Sequence, residues 1–153
     1  MALDVINIFD QIVTFVDYTG QFDSVNTHQP LSAPPNNGLI AGIWIQELSS
    51  NPLTSGLNKT SARIEFNIRI YNTLDPSWPD TVDYEMLTAL DSLMTSFHGG
   101  FTLSGYVMEV DLLGAYGKAL RSVTGYQDIG GVMYRVITIT LPLIIDNLWP
   151  QVP

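Results

Sequence analysis

The sequence predicts a single α+β domain over residues 1–153, in which two amphipathic helices cover one face of a mostly antiparallel β-sheet. Two segments repeat apolar residues at the spacing of one helix face, and six others alternate apolar with polar residues or are largely apolar, as strands are. Short connections between the strand segments favour antiparallel pairing. The predicted order is therefore α, β, β, β, α, β, β, β, in two layers without an internal domain boundary.

The two predicted helices occupy residues 4–18 and 81–97. Each has an apolar stripe that needs a partner surface, with polar residues on the opposite side. Ile6 and Phe15 lie off the first stripe, where they are available to a neighbouring molecule or element. The predicted N-caps and stops are Asp4 and Gly20 for the first helix, and Asp80 and Gly99 with Gly100 for the second.

The most regular strand pattern spans residues 61–71, where apolar residues alternate strictly with polar ones. Because successive side chains of a strand point to opposite faces, one face of this strand is expected to be dry. The other face carries Arg63, Glu65, Asn67 and Arg69 in a row. We expect this row to be either solvated or matched by a partner molecule.

The remaining strands are predicted from shorter or less regular patterns. The segment 39–48 is apolar on both alternations, which indicates an interior strand, and Gly42 beside Trp44 suggests a bulge or a close approach. A Gly130–Gly131 pair predicts a tight hairpin turn, and Pro142 predicts an edge or a bulge near the end of its strand. The other predicted strands are 22–27, 102–113, 126–129 and 132–145, and the predicted loops are 28–38, 49–59 and 114–124.

The composition limits the classes of function. Six Lys and Arg against fifteen acids give a formal charge of −9, which argues against stable binding of nucleic acid. The absence of Cys removes disulfides, thiolate nucleophiles and Cys-ligated metals. Charged residues make up only 14% and hydrophobic residues 46%, which favours burial of part of the surface in an assembly. Neither a signal peptide nor a membrane helix is expected.

The sequence offers few groups for catalysis. The two histidines, His28 and His98, have no acid or histidine at the spacing of a metal site. A weaker alternative is a small metal-dependent enzyme that uses the carboxylates of Glu65, Glu109 and Asp111 to hold a divalent cation. This alternative also needs a pocket and a Lys, His or Tyr partner. A solvated or partner-facing set of acids is the more common arrangement, and no enzyme is predicted.

Four stretches carry a resemblance to a known family. They are residues 32–46 (SAPPNNGLIAGIWIQ), 55–71 (SGLNKTSARIEFNIRIY), 111–117 (DLLGAYG) and 137–145 (ITITLPLII). Nearly from end to end, the chain resembles the tail terminator proteins of bacteriophages with long non-contractile tails. The resemblance implies helices packed on an antiparallel sheet, and a homohexameric ring without a cofactor.

In the virion, the resemblance implies a ring at the head-proximal end of the tail, after assembly in the host cytoplasm. Its implied partners are the major tail tube protein, whose polymerisation it stops, and the head connector or neck protein. DNA would pass through the lumen without specific binding. A head–tail connector or a minor tail protein remains an alternative.

A ring requires two different patches on each subunit that pair head to tail. The polar row of the most regular strand and the three predicted loops are the candidates for these contacts. The residues expected at subunit or tube contacts are Arg63, Glu65, Asn67, Arg69, Lys118, Arg121, His28, Leu57 and Lys59.

Overall fold

Two helices and a six-stranded sheet make up the computed structural model, which describes residues 4–28, 39–51, 59–73 and 79–150. This confirms the mixed helix and strand content that the sequence predicts. The elements are α1 (Val5–Tyr18), β1 (Ser24–Asn26), β2 (Leu39–Asn51), β3 (Lys59–Thr73), α2 (Pro79–Gly99), β4 (Glu109–Val110), β5 (Arg121–Ile129) and β6 (Val132–Pro150).

The sheet is mixed. Its strand order is β1-β2-β3-β6, and both β4 and β5 pair with the far side of β6. β1 runs parallel to β2, whereas the other pairings are antiparallel. Residues 27–38 separate β1 from β2, and a connection of about a dozen residues is long enough for the crossover that parallel strands require. The predicted interior position of β2 is confirmed where β1 and β3 flank it.

The main core forms around β3. Ile64, Phe66, Ile68 and Ile70 are buried and belong to one apolar cluster with residues of β2, β6 and both helices. Phe9 of α1 stacks on Phe66 with ring centroids 5.6 Å apart. The helix members of the cluster are Ile8, Ile12 and Val16 from α1, and Met86, Ala89, Leu93 and Phe97 from α2.

The helix ends follow local chemistry. Asp4 is the N-cap of α1 and accepts a hydrogen bond from the Asn7 backbone N–H at 3.4 Å, as predicted. α2 begins at Pro79, so Asp80 lies inside its first turn and the predicted N-cap is wrong; proline is favoured at the first helical position. Neither helix of the described ranges combines the length and the apolar composition needed to cross a membrane.

Phe15 does not face outward. It stacks on Phe97 with ring centroids 5.9 Å apart, and it lies so close to Gly100 that an added Cβ there would come within 2.6 Å of the Phe15 ring. α2 ends at Gly99, one of the two glycines predicted to stop it. Gly100, which follows, leaves room for the aromatic contact between the helices.

The strand predicted at residues 102–113 is wrong over most of its length. Only Glu109–Val110 is strand, and residues 101–106 form turns. Leu103 and Ser104 have φ angles of 47° and 59°, which a strand does not allow. Leu103 is completely buried in the main core. The alternation of apolar and polar residues here reflects one buried turn residue and a short strand rather than a continuous strand.

The hairpin around Gly130 and Gly131 is confirmed, with φ angles of 59° and 84° at the two glycines. Its first strand is longer than predicted, since β5 begins at Arg121. The bulge of β2 lies between Ile45 and Glu47 rather than at Gly42, which pairs in register with Arg69.

Pro142 lies within β6 and not at the predicted edge or bulge. It pairs with Glu65 of β3 in an unbroken register, and its carbonyl oxygen accepts the Asp111 backbone N–H at 2.9 Å. The nitrogen and carbonyl of one strand residue point to the same side, so the Pro142 nitrogen faces the interval between β4 and β5. A missing N–H there does not interrupt the ladder to β3.

We expect Phe66→Ala to lower the free energy of unfolding by about 3–5 kcal/mol, because it leaves a cavity beneath Phe9 in the main core. Urea denaturation measures the loss. Leu113→Ala is the control, because this side chain is 92% exposed and its truncation should cost under about 0.5 kcal/mol. Equal small losses in both variants would contradict the assigned core.

Candidate interaction surface

The register places the predicted polar row on one face of the sheet, which we call the polar face. Residues directly opposite in paired strands point to the same side. Asn67 therefore shares its side with Trp44 of β2 and Thr140 of β6, and Thr140 pairs in turn with Arg121 of β5. Two residues further along β3, Arg69 shares its side with Gly42 of β2 and Thr138 of β6, and Thr138 pairs in turn with Val123 of β5. Four sequence-predicted contact residues thus share this face with Arg121: Arg63, Glu65, Asn67 and Arg69.

Two members of the row are buried by the chain itself. Arg63 is 8% and Glu65 is 5% exposed. The Arg63 Nη1 donates to Glu65 Oε1 in a buried ion pair, and the Arg63 Nη2 donates to the Lys118 carbonyl oxygen at 2.8 Å. Within the single chain, other parts of the chain therefore enclose these two side chains, and solvent does not reach them.

The cover over this ion pair is the strap, which we define as residues 112–119. At its start, the Asp111 carboxylate accepts the backbone N–H groups of Ala115 at 2.7 Å and Tyr116 at 3.0 Å. Gly117 lies against the Arg63 side chain, where an added Cβ would come within 2.9 Å of the guanidinium carbon. Its φ of 154° is also one that residues with side chains rarely adopt. The strap is thus tied to the sheet by two buried charged side chains.

These contacts bear on the metal-site alternative. Glu65 is occupied by Arg63, and Asp111 already accepts two backbone N–H groups. Glu109 is half-buried on the adjacent strand β4. Within the described ranges, no three His, Cys, Asp or Glu side chains lie close enough together to hold a metal ion. The three carboxylates proposed from the sequence are not assembled into a cation site.

Beyond the strap, the middle of the polar face is open. We call this area the central polar patch: Trp44, Asn67, Arg69, Thr138, Thr140 and Arg121. Arg121 is exposed and the others are half-buried. Arg69 donates through Nε to the Thr138 hydroxyl and through Nη1 to Gln127 Oε1, both at 2.8 Å. Its guanidinium carbon also lies 5.2 Å from the centroid of the Trp44 ring.

These contacts hold Arg69 in one conformation before any partner binds. The Asn67 amide is also held, since it donates to Gln46 Oε1 at 2.9 Å. A side chain that is already ordered loses less conformational entropy when a partner docks on it. The central polar patch is therefore a preorganised surface that combines an aromatic ring with guanidinium groups.

At the far end of the polar face, Tyr71 is completely buried in a second apolar cluster. Its ring meets the Tyr134 ring edge-on, with centroids 6.1 Å apart. Burial raises the pKa of the Tyr71 hydroxyl above its ordinary value, while the nearby Arg69 guanidinium acts in the opposite direction. The other members of this cluster are Ile40, Ile129 and Val136.

The remaining predicted contact residues do not form one site. His28, Lys59, Lys118 and Arg121 are exposed, and Leu57 lies outside the described residues. Lys59 is ten residues from Arg69 on β3, roughly 33 Å along an extended strand. The fold thus brings Asn67, Arg69 and Arg121 together and leaves Lys59 far from them.

Sequence reasoning missed Trp44, Thr138 and Thr140 as neighbours of the polar row. The alternation within residues 132–145 contains the signal, since Thr138 and Thr140 lie opposite its apolar side. The pattern does not reveal which strand is adjacent to which, so the register was needed to place them beside Arg69.

In comparisons with known proteins, no family model matches the sequence, and no curated protein matches it either.

We expect Arg63→Met to lower the free energy of unfolding by about 3–5 kcal/mol, because it leaves the Glu65 carboxylate buried without its cation. The double variant Arg63→Met/Glu65→Leu removes both charges and should lose less than the single variant. Arg121→Met is the matched control, and its exposed side chain should cost under about 0.5 kcal/mol. Chemical denaturation of wild type and the three variants measures these losses. A double variant with a lower free energy of unfolding than Arg63→Met would contradict the prediction.

We expect stability to fall as the pH rises above about 10, the ordinary pKa of tyrosine. The unfolded chain then releases the Tyr71 proton while the folded chain retains it, so alkaline pH favours unfolding. Tyr71→Phe should remove this part of the decline, whereas Tyr18→Phe, at a 91% exposed side chain, should not. Thermal unfolding across pH 8–11 measures both, and identical pH slopes for wild type and Tyr71→Phe would refute the assignment.

Proposed function

We propose that this protein is a structural virion component, which forms a ring on the end of a phage tail tube, stops tube polymerisation and joins the tail to the head connector. The resemblance of residues 32–46, 55–71, 111–117 and 137–145 to the tail terminator family supports this proposal. A low share of charged residues, 14%, fits a chain that buries part of its surface against other subunits.

The proposal includes a two-layer architecture, with both helices on the side of the sheet opposite the polar face. Phe9 of α1 stacks on Phe66, and Glu85 of α2 accepts a hydrogen bond from Asn72 at 3.3 Å. Phe66 and Asn72 are six residues apart on β3, so the alternation of a strand places them on the same face. The middle of the polar face, beyond the strap, then remains free for other molecules.

The observation that carries the proposal is the open, preorganised middle of the polar face. Trp and Arg are enriched among the residues that contribute most to protein–protein binding, and Trp44 and Arg69 are already in contact here. Such a surface fits a contact with a protein, either another subunit or the tail tube. A hexamer would carry a formal charge of −54, six times −9, and acids facing its lumen would let DNA pass without adhering.

A tail assembly reaction tests the function. We expect tail tube protein that polymerises with this chain to stop growing, and electron microscopy to show a ring at one end of each tube. Reactions without the chain should give tubes of uncontrolled length. Light scattering of the isolated protein at high concentration measures whether the ring forms without the tube.

Two results would overturn the proposal in different ways. Tubes of normal length that fail to join heads when the chain is omitted would indicate a connector instead of a terminator. If no ring forms either in solution or on tubes, the proposal that this protein assembles into a ring is refuted.

A further inference from the structure

All the basic residues of the chain lie outside its two helices, whereas seven of the fifteen acids belong to the helices or the α1 N-cap and eight lie elsewhere. The helices and the N-cap of α1 contain only acids and no Lys or Arg: Asp4, Asp10, Asp17, Asp80, Asp83, Glu85 and Asp91. All six basic residues lie on strands or in the strap: Lys59, Arg63, Arg69, Lys118, Arg121 and Arg135. The helices themselves therefore carry acids and no Lys or Arg, although Arg135 of β6, which pairs with Asn72 of β3, lies on the helix-bearing face of the sheet.

The outward side of each helix combines these acids with apolar residues. Tyr84, Leu87 and Asp91 of α2 are exposed and follow the spacing i, i+3, i+7, which places them on one stripe. Ile6 and Asp10 are exposed at i and i+4 on α1. Tyr84 is 74% and Ile6 70% exposed, which leaves large apolar side chains uncovered within the monomer. We call these two exposed stripes, Ile6 and Asp10 of α1 and Tyr84, Leu87 and Asp91 of α2, the helical surface.

The cations available to meet such a surface lie at the central polar patch and beside it. Arg69 and Arg121 belong to the patch, and the exposed Lys118 side chain lies on the adjacent strap. The carboxylates under the strap are neutralised locally, because Glu65 pairs with Arg63 and Asp111 accepts backbone N–H groups. The exposed Glu47 and the half-buried Glu109 are at the margin of the polar face.

The other two cations are poorly placed for the same role. Arg135 pairs with Asn72 of β3 and so lies on the face of the sheet opposite the central polar patch, where its guanidinium carbon is 4.5 Å from the centroid of the Tyr126 ring. Lys59 lies at the start of β3, remote from Arg69. Among the described residues, the central polar patch thus combines cations with an aromatic ring on the face of the sheet opposite the helices.

We infer that the helical surface of one copy of this chain docks on the central polar patch of the next copy, in a head-to-tail contact. An isologous contact would set the helical acids of one copy against the same acids of its partner, whereas a heterologous contact joins opposite charges. Tyr84 and Leu87 supply apolar anchors on one side, and Trp44 supplies an aromatic ring on the other. This inference rests on the proposed ring and names its two subunit surfaces.

Charge reversal on each surface tests the contact. The helical variant carries Asp10→Lys with Asp91→Lys, and the sheet variant carries Lys118→Glu with Arg121→Glu. All four side chains are exposed, and none of them takes part in the buried contacts of the core or the strap. Each variant alone should associate at least about tenfold more weakly than wild type, because like charges then face each other across the contact.

Mixing the two variants in equal amounts should restore assembly, because each new basic helical surface can meet a new acidic patch. The restored assembly should contain both variants in alternation, which native mass spectrometry reads directly. Lys59→Glu reverses an exposed cation remote from the central polar patch, so it is the control for charge reversal elsewhere on the sheet and should assemble like wild type. Circular dichroism and thermal unfolding verify that every variant is folded.

The outcomes separate the contact from the ring. Wild-type rings that neither variant weakens would overturn the contact and leave the ring standing. The same holds if both variants lose assembly and the mixture does not regain it, which would mean that each surface contacts a different part of the neighbouring copy. A wild-type chain that forms no ring in solution or on tubes would overturn the proposed function together with this contact.

Discussion

The constraint on which the rest of the structure depends is that β3 buries part of its polar side, at Arg63 and Glu65, as well as its apolar side. A buried guanidinium or carboxylate is costly unless it is paired and hydrogen-bonded. Arg63 and Glu65 pair with each other, and Arg63 Nη2 donates to the Lys118 carbonyl oxygen as well, whereas the buried Arg63 Nε has no hydrogen-bond partner. The strap lies over β3 because the Arg63 guanidinium donates to the Lys118 carbonyl oxygen and packs against Gly117.

This constraint divides the polar face into three parts. The strap closes one end, and the cluster around Tyr71 closes the other. The middle, around Arg69 and Trp44, stays accessible, and hydrogen bonds already fix the Arg69 guanidinium. The helical surface differs in kind, since its exposed groups are acids and large apolar side chains without cations. Two unlike surfaces on one chain are what a closed ring of identical subunits requires.

Much of the architecture could be predicted from local patterns. The stripes of α1 and α2, the alternation of β3 and the Gly130–Gly131 turn each follow from the positions of apolar residues or from backbone freedom. The strand predicted at 102–113 failed because Leu103 is buried from a turn with a positive φ, a conformation that alternation does not encode. The parallel pairing of β1 depended on which edge of β2 was free, which no local pattern records.

The candidate site shows the same division. The sequence by itself determined that Arg63, Glu65, Asn67 and Arg69 share one side of a strand, because side-chain direction in a strand follows from position alone. Only the tertiary structure decided that the first two are sealed under the strap while the last two remain accessible. That decision depends on which distant segments, such as the strap and β5, pack on each part of the strand. Packing between segments far apart in sequence is set by the whole chain, and the local pattern carries no record of it.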